Sequence, residues 1–189
     1  ATGYDLTILQ RRFNVGFEQL AHRLTTLQRV GQRGLPFFMA RIDRAGQFSK
    51  RYAGASGTTL LESEVACPLW NVHRGFEQAG RIQVQTIAFA ETSGQESDWF
   101  TMARSVEGTG APGGEAAQFV VVLGLEARLA GQLAQSRGLS LEPAQAMRVG
   151  PGCARCHRVD CQQRSLPPRG AMLQFDERSR GLTPFSIAP

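Results

Sequence analysis

The chain has 189 residues, 42% of them hydrophobic and 20% charged, with a formal net charge of +5 and a pI near 9.6. That length suits one large domain or two small ones, and burial of roughly 70% of the unfolded surface frees the core from any need for disulfides. No apolar stretch approaches the about 18–20 residues of a membrane span, and the basic residues are scattered without a run of five, so a strong linear nucleic-acid patch is excluded.

Residues 5–30 read as two helices. Leu6, Leu9 and Phe13 share one face, Val15 and Gly16 punctuate, and Phe17, Leu20, Leu24 and Leu27 resume the helical spacing. The short break resembles a helix-turn-helix, although simple packing of two helices reads equally from the pattern. Phe37 to Asp43 and Gln47 to Tyr52 predict a β-hairpin around Asp43-Arg44-Ala45-Gly46. Residues 54–59 form a small polar loop, and Trp70 to Gln78 suits a short helix. Arg81 to Ala90 predicts a strand whose alternation changes phase between Val84 and Ile87, as a bulge would cause. After a polar turn at 91–96, strands follow at Trp99 to Val106 and Gln118 to Leu125, separated by a Gly/Pro loop at 108–114. Short links predict an antiparallel meander. Glu126 to Ser136 reads as a helix closed by Gly138, and Ser140 as the cap of another through Met147. The fold class is α+β: an N-terminal helical pair, a central antiparallel sheet, C-terminal helices and a cysteine-rich metal-binding segment.

The chemistry lies in the thiols. Cys153, Cys156 and Cys161 occur in nine residues, and Cys67, followed by Pro68, stands 86 residues before the first of them. Four thiols match a tetrahedral zinc site or a [4Fe–4S] cluster. Zinc ribbons usually pair two C-x2-C knuckles, and Cys67 has no near partner, so the spacing favours iron–sulfur while zinc stays open. Gly150 and Gly152 allow close backbone approach, and Arg155 and Arg158 could offset negative charge. His73 and His157 are weaker ligand candidates, and His22 reads as a packing or surface residue. There is no phosphate-binding G-x-x-x-x-G-K-[ST] loop, G-x-S-x-G elbow or H-E-x-x-H helix, so hydrolytic catalysis is not expected. All but one of the 21 basic residues, Lys50, are arginines. Their forks suit the phosphates of a nucleotide-like ligand. Clustered thiols without a basic leader segment predict a reducing cytoplasm. An alanine at position 1 suggests a piece of a longer protein.

Four stretches carry a resemblance: 17–29; Arg41-Ile42-Asp43 through Ser49-Lys50-Arg51; Cys67-Pro68-Leu69-Trp70-Asn71-Val72-His73-Arg74-Gly75-Phe76; and 153–164. Together they resemble bacterial transcriptional regulators that respond to short-chain acyl-CoA and control propionyl-CoA disposal. The likeness implies an effector-sensing domain rather than an enzyme. On that plan residues 1–34 are the tail of a metallopeptidase-like ImmA/IrrE middle domain, and 35–189 are the acyl-CoA-sensing domain with its cluster segment at 150–165. It implies a [4Fe–4S] cluster on Cys67, Cys153, Cys156 and Cys161, with CoA or a short acyl-CoA as effector. DNA binding would come from an N-terminal helix-turn-helix absent from this chain, and the regulator would be a homo-oligomer, dimer or tetramer. For the effector, Arg41, Lys50 and Arg51 are candidates for the phosphates, and Trp70, Phe76 and Trp99 for apolar walls. His73 and Arg74 are candidates to couple cluster and pocket. Asp98 to Arg104 departs from the usual strand motif of these regulators. The alternatives are a zinc-stabilised nucleic-acid-binding module and an iron–sulfur enzyme acting on a CoA thioester.

Overall fold

The computed structural model describes residues 3–91, 94–108, 116–174, 178, 186 and 187. Most of the expected Gly/Pro loop at 108–114, and residues 92–93 of the expected polar turn, lie outside the described residues.

Asp5 opens α1 (Leu6–Phe13), its Oδ1 accepting from the amides of Thr7 (3.0 Å) and Ile8 (3.1 Å). Asn14, at φ +50°, closes it in the left-handed region. Gly16 then leads into α2 (Phe17–Thr25), which buries Phe17, Leu20 and Leu24 as the spacing predicts. Phe13 departs from expectation: it is 61% exposed, and Leu6 with the half-buried Leu9 carries the inner face of α1. The second helix also stops before Leu27, where β1 (Gln28–Arg29) and β2 (Gln32–Arg33) form a tight hairpin through Gly31. Both helices share one hydrophobic cluster with Phe37 and with Met39, Val121 and Leu123 of the sheet strands that follow, so packing accounts for the helical pair.

The sheet joins β3 (Phe38–Ile42), β4 (Phe48–Tyr52), β5 (Gln83–Ala90), β6 (Glu96–Glu107), β7 (Gln118–Glu126) and β8 (Met147–Val149) in the order β4-β3-β7-β6-β5-β8. All pairs are antiparallel except β5 with β8. Alternate residues of β3 and β7 serve two cores. Phe38, Ala40, Ile42, Val120 and Val122 meet Trp70, Ile87 and Trp99 on one face, and Met39, Val121 and Leu123 meet the helices on the other. A strand covered on both faces needs no polar side, which explains the unbroken Phe119–Leu123 run.

Three expectations are corrected. The register of β5 on β6 runs unbroken from Gln83↔Ala103 to Ala90↔Glu96, so there is no bulge. The phase change arises because Ile82 and Val84 pack into the helical core while Ile87 and Phe89 pack into the opposite one. The irregularity lies instead between Arg41 and Ile42, where β3 pairs with β4. Residues 127–136 form two 3-10 turns, Ala127–Gln132 and Ala134–Ser136, split by an extended Leu133. The Ser136 hydroxyl donates to the carbonyls of Ala130 (2.7 Å) and Leu133 (2.9 Å), a local competitor of helix bonding. The expected helix through Met147 is one 3-10 turn, Pro143–Gln145, followed by β8, because β5 has an open edge and Val149 a buried place on it. Trp70 to Gln78 is a 3-10 turn, Asn71–His73, running into α3 (Arg74–Glu77). Near the end, β9 (Leu173–Gln174) pairs with β10 (Ser186–Ile187). Among the described residues no helix is long and apolar enough to cross a membrane.

Candidate metal centre

The chain leaves β8 through Gly150, Pro151 and Gly152 and turns back over residues 66–69. Gly152 adopts φ +92°, a conformation other residues rarely take, and leads into the 3-10 turn Cys153–Arg155. A Cβ on Gly150 would stand 2.6 Å from the Cys156 sulfur, so only glycine lets that thiol lie against the backbone. This folding brings Cys67, Cys153, Cys156 and Cys161 to the walls of one small cavity, closed by Pro68, Leu69, Gly150, Gly152, Gln163 and Arg164. None of the four is in a disulfide.

Cys67 is the buried member. Desolvation pushes its thiol pKa up, while the backbone amides of Gly150 and Leu69, donating to the sulfur, pull the other way. Those amides come from both halves of the site and prepare the sulfur to carry charge. Around the trio, Arg155 donates from Nη1 to the Glu62 carbonyl (3.1 Å), and Arg169 clasps Glu64 through two bonds (2.6 and 3.1 Å). Arg158 pairs with Asp160 (2.7 Å), which raises the guanidinium pKa and holds the Asp160 carboxyl below its ordinary range. The cysteine segment is thus bound to the 62–69 segment on several sides.

A single zinc ion with bonds of about 2.3 Å needs its four sulfurs about 3.8 Å apart. Among the described residues no group of three or more His, Cys, Asp or Glu side chains is disposed to hold a metal ion. Four thiols on one cavity wall are the donor set that a thiolate-bound metal group, a zinc ion or an iron–sulfur cluster, uses. The donor set fits such a group: sulfur alone, no carboxylate on the wall, and a buried arginine beside it.

The remaining predicted residues are dispersed. Arg41 and Lys50 face each other across β3 and β4, and both reach one carboxylate oxygen of Glu18, at 3.4 and 3.2 Å. Arg41 also lies 4.5 Å over the Phe119 ring. Arg51 stands on the opposite face of the hairpin, donating to the Leu61 carbonyl (2.9 Å), so the three cations do not meet. Trp70 and Trp99 belong to the core, bonded through Nε1 to Thr101 (3.2 Å) and Ser97 (2.9 Å). Phe76 is half-buried with Arg44 over its ring, and Arg74 is exposed. His73 Nε2 lies 3.2 Å from the Cys67 carbonyl, close to the site but off the cavity wall. His157 and His22 are exposed. A second cavity, about 370 Å³, opens on the far side of Cys156 between Glu91, Glu96, Arg148, Val149 and Arg155. Sequence reasoning passed over Arg164, whose only signal was its place three residues after Cys161.

The family described as short-chain fatty acyl coenzyme A regulator, C-terminal, matches residues 26–185. The HTH-type transcriptional regulator PrpR of Mycobacterium tuberculosis is 39% identical over 186 residues, covering 97% of this chain and 37% of that protein. The propionyl-CoA carboxylase regulator of Cereibacter sphaeroides is 39% identical over 190 residues, covering 98% of this chain and 39% of that protein. A solved structure, titled as a Mycobacterium tuberculosis transcriptional regulator, superposes with a TM-score of 0.87 at 37% identity, over 97% of this chain and 55% of that one. The chain therefore spans about two-fifths of the curated relatives, and these relatives are transcriptional regulators, not enzymes.

Proposed function

The chain belongs to the C-terminal family of short-chain fatty acyl coenzyme A regulators, and from that premise we propose that it is the effector-sensing part of a regulator of propionyl-CoA or related short-chain acyl-CoA metabolism. It binds CoA or a short acyl-CoA, and it carries a [4Fe–4S] cluster on Cys67, Cys153, Cys156 and Cys161. The observation that carries the reading is the gathering of four unpaired thiols from distant parts of the chain on one cavity. Iron–sulfur ligation is favoured over zinc because zinc ribbons usually pair two C-x2-C knuckles, whereas Cys67 has no near partner in the sequence.

The protein's own residues supply the framework. The Gly150 and Leu69 amides hold the Cys67 sulfur, Gly150 leaves room for the sulfur of Cys156, and Arg155 and Arg169 tie the cysteine segment to residues 62–64. When bound, the cluster supplies a negatively charged, oxidisable link between the two halves of the site. Effector binding selects one conformation or assembly of the regulator, and the DNA-reading domain, in a part of the regulator outside this chain, responds. That regulator would be a homo-oligomer in a reducing cytoplasm, with residues 1–34 as the tail of an ImmA/IrrE-type middle domain. An arginine-rich surface fits the phosphates of CoA.

Anaerobic purification tests the cluster: a brown protein with iron and acid-labile sulfide in near-equal amounts is expected, and either Cys153→Ser or Cys156→Ser abolishes the colour. Unchanged iron in both variants, or a colourless chain with stoichiometric zinc, refutes it. Calorimetric titration with propionyl-CoA tests the sensor; no saturable heat with either CoA or propionyl-CoA refutes that part.

A further inference from the structure

Arg164 is only 8% exposed and forms part of the wall of the four-cysteine cavity. Its Nη1 donates to the carbonyls of Cys153 (3.3 Å) and Leu166 (3.4 Å), and its Nη2 to those of Cys156 (3.1 Å) and Arg158. The fifth N–H, at Nε, is buried and has no partner. Among the described residues every ion pair involves other cations, so no carboxylate joins this guanidinium. A guanidinium keeps its charge at any pH a folded protein meets, and burying it without an anion is costly. Carbonyl dipoles offset part of that cost. The cavity wall holds one other kind of ionisable side chain, the four thiols.

We infer that Arg164 is the built-in counter-charge and clamp of the metal–thiolate group. Its bonds to the Cys153, Cys156 and Arg158 carbonyls fix the loop that presents two of the thiols. Its unpartnered Nε–H is left for an anionic group in the cavity. The inference rests on the iron–sulfur reading of the same cavity and adds a consequence. A cluster bound by four thiolates is anionic and becomes more so when it takes up an electron, so a fixed positive charge at its wall favours the reduced form.

The test loads the unmodified chain, Arg164→Lys and Arg164→Gln with iron and sulfide without oxygen. It reads the reduction potential by EPR-monitored titration and the rate of iron release to a chelator. Arg164→Gln removes the charge, and a tenfold or greater fall in the reduced-to-oxidised ratio at fixed potential is expected, which is about 59 mV for one electron. Arg164→Lys keeps a charge but cannot span four carbonyls, so its potential stays nearer that of the unmodified chain while iron leaves about 10–100-fold faster. A merely structural arginine would not move the potential according to charge. Equal potentials in all three loaded chains overturn the inference and leave the cluster standing, whereas an unmodified chain that takes up no iron and sulfide overturns both. If circular dichroism shows that the variants do not fold, the unmodified chain decides the matter. With arginine labelled in nitrogen-15, the Arg164 Nε–H resonance is expected to be broadened when the chain is loaded and recovered when the metal is removed, and an identical sharp resonance in both states overturns the inference.

Discussion

Gly150 shows how much a missing side chain can do. The position its Cβ would occupy lies 2.6 Å from the Cys156 sulfur and 3.1 Å from that residue's Cβ. Gly150→Ala therefore pushes one thiol off the cavity while leaving all four cysteines in the sequence. Iron affinity should fall by about 10–100-fold, the usual cost of disturbing the support of a metal ligand. Competition with a colorimetric chelator measures it, and wild-type affinity in the alanine variant would mean that Cys156 is not needed at that spot. The need for a glycine here was legible in the sequence, because two glycines bracketed the approach to a thiol cluster. Arg164 was not legible: one arginine among many gives no sign that it will be buried, and only the folded loop reveals that four carbonyls converge on it.

At the level of the element, the β3–β4 hairpin separates charges that the sequence seemed to collect. Arg41 and Lys50 face each other in register, but Arg51 is one residue further and pleating sends it to the other face. Glu18, on α2, bridges the first two. Partly exposed pairs of this kind contribute about 1 kcal/mol or less, so Glu18→Gln should change the melting temperature little. If Arg41 and Lys50 meet CoA phosphates, removing the competing carboxylate tightens CoA binding several-fold at low salt, an advantage that fades as salt rises. Identical affinities for the two proteins across a salt series would remove this pair from the effector site. Long strands with apolar patterning, such as β7, were legible because both their faces are covered. The short C-terminal elements were not. Met147 to Val149 contains too few residues for any period to show, and its strand character comes from the open edge of β5. The phase change in β5 was visible, but its cause, two cores taking turns along one strand, requires the third dimension.

Across the whole molecule, the sheet with its two cores forms one body, and residues 150–169 lie against it through polar ties at Glu62, Glu64 and Arg148. Few large apolar side chains of that segment are buried: Val159 and Leu166 are exposed. On the iron–sulfur reading, a segment with so little apolar burial would depend on the bound metal for order. Chelation of the anaerobic protein should leave the far-ultraviolet dichroism of the sheet nearly unchanged while opening residues 150–169 to trypsin, which has Arg155, Arg158, Arg164 and Arg169 to cut. Mass spectrometry of the fragments checks it; equal protection with and without metal would show that the ties suffice alone.

Four of the six sheet strands, β5 to β8, lie between the thiols at 67 and 153 in chain order. A nascent polypeptide therefore completes all six sheet strands before the other three members of the donor set leave the ribosome. On the iron–sulfur reading, a product truncated ahead of residue 153 can look well folded and still be colourless. Pigment then reports that synthesis has passed residue 161.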